Sequence, residues 1–391
     1  MIRHSVLLSI ALFSLVFLLS EPLREQTHAN LEHIPPTESE TIQNEQEESF
    51  VFIPVPLKNE DEAEEGENVI EVFITTDEQT VASSDQLTEN FETVTEEKYV
   101  SRPEALYNFP PVSFDEINLL TRDAIVNILC NTGTASISPI SASGVLIHHS
   151  GVILTNAHVG QYLLLEQDPR ISISCEVRVG SPARSAYDAE LVYLPPAWVN
   201  EHANQISEFR PLGTGEHDWA ILRITNRIDD GPLPVAFPFL SPEIRETAGF
   251  IEDSVLLASY PAGFIDGATV QNNLYAASTI TTIKKLYTFS DGSVDLLSLG
   301  GVIVAQGGSS GGAVVNAWNQ LIGIIVTSSD AESTSDRDLR AITLAHVNRS
   351  MKNQIGIGLT EFLSSDIQAR GSDFRINIAP SLADMLIAHL R

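Results

Sequence analysis

Between residue 113 and about residue 350, short apolar runs recur between clusters of Gly, Pro, Asn and Asp. The runs at 124–129, 144–147, 152–155, 171–179, 219–224, 255–259, 302–305, 313–315, 321–327 and 341–347 are rich in Val, Ile, Leu and Ala. Runs this short, bounded by turn formers, predict β-strands, and their spacing predicts an antiparallel sandwich or barrel. Helical periodicity is sparse. Ser113 is placed to cap a helix opening the segment 113–127, and 348–363 and 382–390 read as amphipathic helices. The β-rich body spans roughly 240 residues, a size that all-β domains and barrel pairs reach.

The N-terminus has a different texture. Arg3 and His4 precede an apolar run over 6–19 that only Ser9 and Ser14 interrupt, and Thr27-His28-Ala29 suits a cleavage site. A run of about fourteen residues is short of the twenty or so that span a bilayer. It predicts a signal peptide over 1–29, with an uncleaved anchor as the alternative, and no other segment is apolar enough to span. The protein is therefore expected to be exported: periplasmic, extracellular or tethered at the cell surface. Residues 30–112 follow as an acidic tract, with about twenty acids against Lys58 and Lys98 up to position 100. Like charges repel, and the short apolar islands offer little burial to offset ordering, so a disordered linker is expected. No spacing there matches a calcium loop. The whole chain carries a formal charge of −30, which excludes a nucleic-acid partner, because phosphate binding needs clustered Lys and Arg.

Cys130 and Cys175 are the only cysteines, too few for a disulfide scaffold or a structural zinc site. They form one disulfide or serve as two buried thiols, and export favours the disulfide. His148 and His149 are adjacent and would face opposite sides of a strand, with no acidic or Cys partner at ligand spacing. Neither a metal nor an organic cofactor is expected.

Three segments carry chemistry. Val152-Ile153-Leu154-Thr155-Asn156-Ala157-His158-Val159 ends a strand in a polar turn that presents a histidine. Glu216-His217-Asp218-Trp219-Ala220-Ile221-Leu222 puts an acid at the mouth of an apolar strand, where a buried carboxylate needs a partner such as an imidazole N–H. Gln306-Gly307-Gly308-Ser309-Ser310-Gly311-Gly312-Ala313 surrounds two serines with glycines just before a strand. Such a turn can aim successive N–H groups into one cavity, as an oxyanion hole requires. No Lys follows and no helix begins there, which argues against a phosphate-binding loop.

Taken together, Thr155-Asn156-Ala157-His158-Val159, Asp218-Trp219-Ala220-Ile221-Leu222 and Gly308-Ser309-Ser310-Gly311-Gly312 resemble the signatures of trypsin-like, chymotrypsin-fold serine proteases. Ser143-Gly144-Val145-Leu146-Ile147, Ser259-Tyr260-Pro261-Ala262-Gly263 and the hairpin from Ala313 to Ile324 resemble the HtrA/Deg branch in particular. The resemblance covers about residues 120–350. It implies an all-β fold of two antiparallel six-stranded barrels over 113–350, then a short helical extension over 351–391. It implies a serine endopeptidase acting on protein or peptide substrates, with His158, Asp218 and Ser310 as triad and the N–H groups of Gly308 and Ser310 as oxyanion hole. The alternative is a protease-fold binding or scaffold protein without catalysis. It further implies that Val304, six residues before the nucleophile, lies at the base of the pocket for the substrate's P1 side chain, facing Val326. Such a pocket favours apolar residues unless Asp291 or Asp295 swings inward.

Two departures stand out. Ser309 occupies the position where digestive relatives carry an Asp that pairs with a new N-terminus, so activation by that ion pair is not expected. Only about forty residues follow position 350, fewer than a typical second domain needs, so no PDZ domain is expected.

Overall fold

The computed structural model describes residues 92–94, 105, 107–208, 215–263, 265–289, 292–302, 304, 306–328 and 338–390. The expected signal segment and most of the acidic tract lie outside the described residues. Strands β2 (Ile125–Thr132), β3 (Ile140–His148), β4 (Val152–Thr155), β5 (Ile173–Val179), β6 (Arg184–Tyr193) and β7 (Ala220–Arg227) close a barrel in the order β2-β3-β4-β7-β6-β5. All of its pairings are antiparallel. All four residues of β4 and the first six of β2 are buried, because one face fills the barrel and the other is covered by further structure. That is why these strands read as unbroken apolar runs rather than alternating ones.

The second sheet contains β9 (Ser254–Ser259), β10 (Ala277–Thr282), β11 (Lys285–Thr288), β12 (Leu296–Ser298), β13 (Ala313–Asn316), β14 (Gln320–Ser328) and β15 (Leu339–Thr343). Its order is β1-β11-β12-β15-β14-β13-β9-β10, with β1 being Glu92–Val94 and with the short strand β8 (Ser241–Pro242) parallel to β14. Strands β10 and β11, near opposite ends of this order, are separated only by Ile283 and Lys284, so they are halves of one bent strand. Thr281 Oγ1 on the β10 half donates to Leu299 O just past β12, at 3.2 Å. The sheet thus curls on itself, and the chain completes the circuit that lateral hydrogen bonds leave open. A six-stranded antiparallel barrel and this curled partner make the chymotrypsin-like double barrel that the sequence implied.

Several elements differ from expectation. The run at 302–305 gives no described strand; Val302 and Val304 lie in a turn region. The run at 341–347 divides: β15 ends at Thr343, whose hydroxyl accepts from His346 N and caps the helix Leu344–Ile355. The hydroxyl competes for the backbone N–H groups that a continuing strand would need. That helix ends at Gly356 in the left-handed region, so the helix expected over 348–363 is two helices, the second being Leu359–Leu363. The boundary expected at 350 falls inside the first of them.

Numbered in chain order, the helices are α1 (Phe114–Ala124), α2 (Ala157–Glu166), α3 (Pro196–His202), α4 (Gly267–Asn272), α5 (Leu344–Ile355), α6 (Leu359–Leu363), α7 (Ile367–Asn377) and α8 (Ala379–Ala388). Ser113 caps α1 as expected, accepting from Glu116 N at 3.3 Å. The C-terminal helices pack on the first barrel. Arg375 reaches Glu190 on β6, Phe374 lies 5.5 Å from the Tyr193 ring, and Leu382 and Leu386 join the barrel's apolar core. Among the described residues no helix is long and apolar enough to cross a membrane.

The end of the acidic tract is ordered against the second sheet, inside the span expected to be a linker. Strand β1 (Glu92–Val94) pairs antiparallel with β11. Tyr107 donates to Glu243 Oε2 at 2.8 Å and accepts from Asn316 Nδ2 at 2.9 Å, with its ring 5.0 Å from that of Trp318. Val112 N donates to Ala317 O at 2.8 Å. These aromatic and backbone contacts hold the end of the tract to the second sheet.

Cys130 and Cys175 face each other in the β2–β5 register and are joined by a disulfide across 45 positions of sequence. A bridge closing a loop of this length contributes about 3–4 kcal/mol, chiefly by restricting the unfolded chain. Replacing both cysteines by serine is therefore expected to lower the free energy of unfolding by that amount, read by denaturant titration. A midpoint equal to that of the oxidised parent contradicts it.

Candidate active site

The site is built where strand ends of the first barrel meet a glycine-rich turn of the second. Strands β4 and β7 are antiparallel neighbours with Thr155 opposite Ala220. His158 lies three residues beyond Thr155 and Asp218 two residues before Ala220, so the register delivers both to the same end of the barrel. Asn156 Nδ2 donates to Asp218 O at 2.9 Å and ties the two strand extensions together. His158 Nδ1 sits 2.9 Å from Asp218 Oδ2, and the backbone N–H of His158 donates to Asp218 Oδ1 at 3.0 Å. Asp218 has no exposure and His158 only 8%. A buried carboxylate takes partners for both oxygens, and here one histidine supplies both. His158 is not on a polar turn, as expected, but in the first turn of α2, nine of whose ten residues are buried. The histidine is held by a core helix, and Gln161 Nε2 donates back to its carbonyl at 2.9 Å.

The two adjacent serines are separated by their surroundings. Ser309 is 1% exposed, and its hydroxyl is bonded to that of Ser259 at 3.0 Å. A neutral hydroxyl there needs one partner, whereas the Asp of digestive relatives would bury a charge needing a cation. Ser310 is partly exposed, and its hydroxyl has no hydrogen-bond partner among the described residues. No hydrogen bond joins Ser310 Oγ to His158 Nε2, a contact that in ligand-free sites is often long.

The turn holding Ser310 is clasped by Ser143 on β3, whose part the sequence did not reveal. The Ser143 N–H donates to Ser310 O at 2.8 Å, and its hydroxyl donates to Gly308 O at 2.8 Å while accepting from Tyr260 N at 2.9 Å. Its carbonyl accepts from Thr155 Oγ1 at 2.7 Å, three residues before His158. Ser143 thus ties the turn of the second barrel to the strand that carries the histidine. Its only sequence signal was its place in the motif 143–147.

Peptide orientation in the turn decides which N–H groups are available. Ala262 N donates to Gly307 O at 2.6 Å. Across a trans peptide the N–H points opposite to the C=O, so the N–H of Gly308 is turned away from Ala262. Neither it nor the N–H of Ser310 meets an acceptor among the described residues. Gly308 adopts a φ of +91°, and a Cβ there would lie 2.6 Å from Tyr260 O and 2.9 Å from Ala262 N. Both the dihedral and the backbone approach require glycine.

The proposed pocket residues are placed differently. Val304 and Val326 are 0% and 1% exposed, Val304 in the core of the second sheet with Leu297, Leu299 and Ile325. Neither presents surface to an open cavity. Asp291 lies outside the described residues. Asp295 is buried and pairs with His346 Nδ1 at 2.9 Å and with Arg349. It also accepts from Phe289 N at 2.7 Å and Thr288 Oγ1 at 3.0 Å. Burial alone would raise its carboxyl, but His346, Phe289 N and Arg349 outweigh that and hold it well below the usual carboxylate range. Among the described residues no group of three His, Cys, Asp or Glu side chains is arranged to hold a metal. The rings of His148 and His149, expected to diverge, lie 4.1 Å apart because β3 ends at His148 and the chain turns.

Residues 142–324 match the model of the trypsin-like peptidase domain. No curated protein matches the chain. Among solved structures, a serine endoprotease from Yersinia pestis shares 23% identity over 63% of this chain and 68% of its own, with a TM-score of 0.39. The HtrA-type protease AlgW, solved with a decapeptide, shares 18% identity over 62% of this chain and 67% of its own, with a TM-score of 0.40.

Replacing Gly308 by Ala forces a side chain into the Tyr260–Ala262 backbone and displaces one N–H of the candidate hole. The expected outcome is a loss of turnover of about a hundred- to a thousandfold, measured on a peptide substrate alongside the melting temperature. Full turnover in the folded variant contradicts the assignment of that N–H.

Proposed function

We propose, from the match of residues 142–324 to the trypsin-like peptidase domain, that the protein is a serine endopeptidase working through His158, Asp218 and Ser310. The observation that carries this reading is the buried His158–Asp218 pair at 2.9 Å, set beside a turn whose Ser310 hydroxyl and two N–H groups are uncommitted. Ser310 Oγ attacks the scissile carbonyl. His158 Nε2 takes the serine proton and passes it to the leaving amine, while Asp218 holds Nδ1–H and stabilises the imidazolium. The N–H groups of Gly308 and Ser310 receive the oxyanion. Water then repeats the sequence on the acyl-enzyme. Every group is supplied by the chain, and the substrates are proteins or peptides. The Cys130–Cys175 disulfide fits the oxidising compartment that export implies. The signal segment that would direct it, or anchor it to a membrane, is part of this proposal.

Ser310→Ala, His158→Ala and Asp218→Asn are each expected to lower kcat by several orders of magnitude, about 10³–10⁶-fold, without adding when combined. Fluorophosphonate labelling of the parent but not of Ser310→Ala accompanies that result. A folded parent that takes no label at Ser310 points instead to a binding or scaffold role.

For specificity we propose cleavage after small or medium apolar residues. Val304 and Val326 open onto no cavity here, so the reading rests on their apolar character and on Asp295 being already committed to His346 and Arg349. An unpaired Lys or Arg in such a pocket loses hydration without gaining a partner, whereas an aliphatic side chain gains about 1–3 kcal/mol on burial. A peptide-library profile should show Val, Ala, Ile or Leu dominant at P1; dominant Arg or Lys contradicts the pocket.

A further inference from the structure

Helix α5 reaches the catalytic acid from behind. Ser350 on this helix is buried, and its hydroxyl lies 3.2 Å from His217 Nδ1 and 3.1 Å from Trp219 Nε1. These are the two residues that flank Asp218. Gln354, one helical turn on, donates Nε2 to the same Ser350 oxygen at 2.9 Å. The orientation of that amide is set in turn by Tyr193, whose hydroxyl donates to Gln354 Oε1 at 3.4 Å and whose ring stacks on Trp219 at 5.5 Å.

Counting protons fixes the direction of every bond. A serine hydroxyl accepts two hydrogen bonds and donates one. Trp219 Nε1 and Gln354 Nε2 are donors only, and together they fill both acceptor positions of Ser350. The single Ser350 proton is left for His217 Nδ1, which must therefore be an acceptor. His217 is then neutral, with its proton on Nε2, the nitrogen that faces Glu216 Oε1 at 3.7 Å. Burial pushes the His217 imidazole below its ordinary value, with Glu216 and Glu201 opposing and His346 and His202 assisting, in keeping with the neutral ring. His217 also holds a left-handed backbone, φ +60°, which non-glycine residues seldom adopt unless their surroundings enforce it. The turn it forms carries Asp218: Asp218 N donates to Gly215 O at 3.2 Å and Trp219 N to His217 O at 2.9 Å.

We propose that Ser350 is a positioning residue for Asp218, clamping His217 and Trp219 on either side of it so that the carboxylate meets His158 in the productive orientation. The proposal deepens the peptidase reading and rests on it. Ser350 touches neither substrate nor reacting atoms. It acts by fixing the backbone on both sides of the acid, and a helix C-terminal to both barrels thereby becomes part of the catalytic alignment.

The test uses the full chain with Ser350→Ala, Ser350→Thr and Gln354→Met. Three quantities are read: kcat and KM on a fluorogenic peptide, the melting temperature, and the low-field proton resonance of His158 Nδ1–H, assigned by its loss in His158→Ala. A misplaced catalytic group commonly lowers rates by about tenfold to a hundredfold, so kcat in Ser350→Ala should fall by that factor while KM stays within about twofold. The resonance should broaden or vanish, and Ser350→Thr, which keeps the hydroxyl, should restore both. Parental kcat and an intact resonance in folded Ser350→Ala overturn the proposal. If that variant does not fold, Gln354→Met, altered at a partly exposed position, should show the same changes at smaller size; unchanged kcat and resonance there overturn the proposal equally. If the parent itself neither turns over substrate nor takes a fluorophosphonate at Ser310, the peptidase reading fails, and the resonance in the variants still decides whether Ser350 positions Asp218.

Discussion

Thr155 stands opposite Ala220 in the β4–β7 pair, and the arrangement of the site follows from that register. A slip of one residue would turn the apolar side chains of both strands from one face to the other. With all of β4 and the first three residues of β7 buried, the register is strongly specified. It brings the continuation of one strand and the approach to the other together, and Asn156 bonds across the gap to Asp218 O. The His158–Asp218 contact is then a consequence of core packing in the first barrel, reinforced by α2 behind it.

The serine comes from the other barrel, so its placement depends on ties between the two. Ser143 provides them with its N–H, its carbonyl and its hydroxyl: it holds the carbonyls of Gly308 and Ser310, the N–H of Tyr260 and, through its own carbonyl, Thr155. The close approach explains the glycines around the serine. A Cβ on Gly311 would lie 2.1 Å from Ser143 O, so a side chain there would push the barrels apart at the site. The Ser259–Ser309 hydroxyl pair fills the space under the turn without burying a charge. Its formation needs no new chain terminus, which separates this arrangement from one switched on by an ion pair.

The C-terminal part of the chain supports the same end of the molecule by two polar networks. Asp295 gathers His346 and Arg349 of α5 at one point of that helix, and Ser350 gathers His217, Trp219 and Gln354 at another. Buried polar groups of this kind stabilise only when their partners are complete. The first ties α5 to the second sheet through Thr288 and Phe289 N, and the second ties it to the first barrel through His217 and Trp219. Beyond α5, helix α7 packs on β6, and α8 packs on α7, α3 and α2.

The identity of the three site segments was legible in the sequence because each is local: a strand followed by Asn156 and His158, an acid ahead of a strand, and serines among glycines. Local pattern also marked most long strands and the cap at Ser113. It missed β6, β10, β11 and β12, whose polar or short runs become strands through neighbours far along the chain. It read 302–305 as a strand although Val304 is a turn residue buried by surrounding core. It set a boundary at 350, where α5 in fact joins the barrels to the helices beyond. The clasp by Ser143, the pairing of Ser259 with Ser309 and the clamp by Ser350 leave no local trace, because a serine's hydrogen bonds depend on what the fold brings within about 3 Å of it. Sequence thus determined which chemical groups were present and roughly which elements carry them. Tertiary structure decided which of two adjacent serines keeps a free hydroxyl and which N–H groups remain unpaired among the described residues, because those outcomes rest on contacts between residues far apart in sequence, 50 positions for Ser259 with Ser309 and 165 for Ser143 with Gly308.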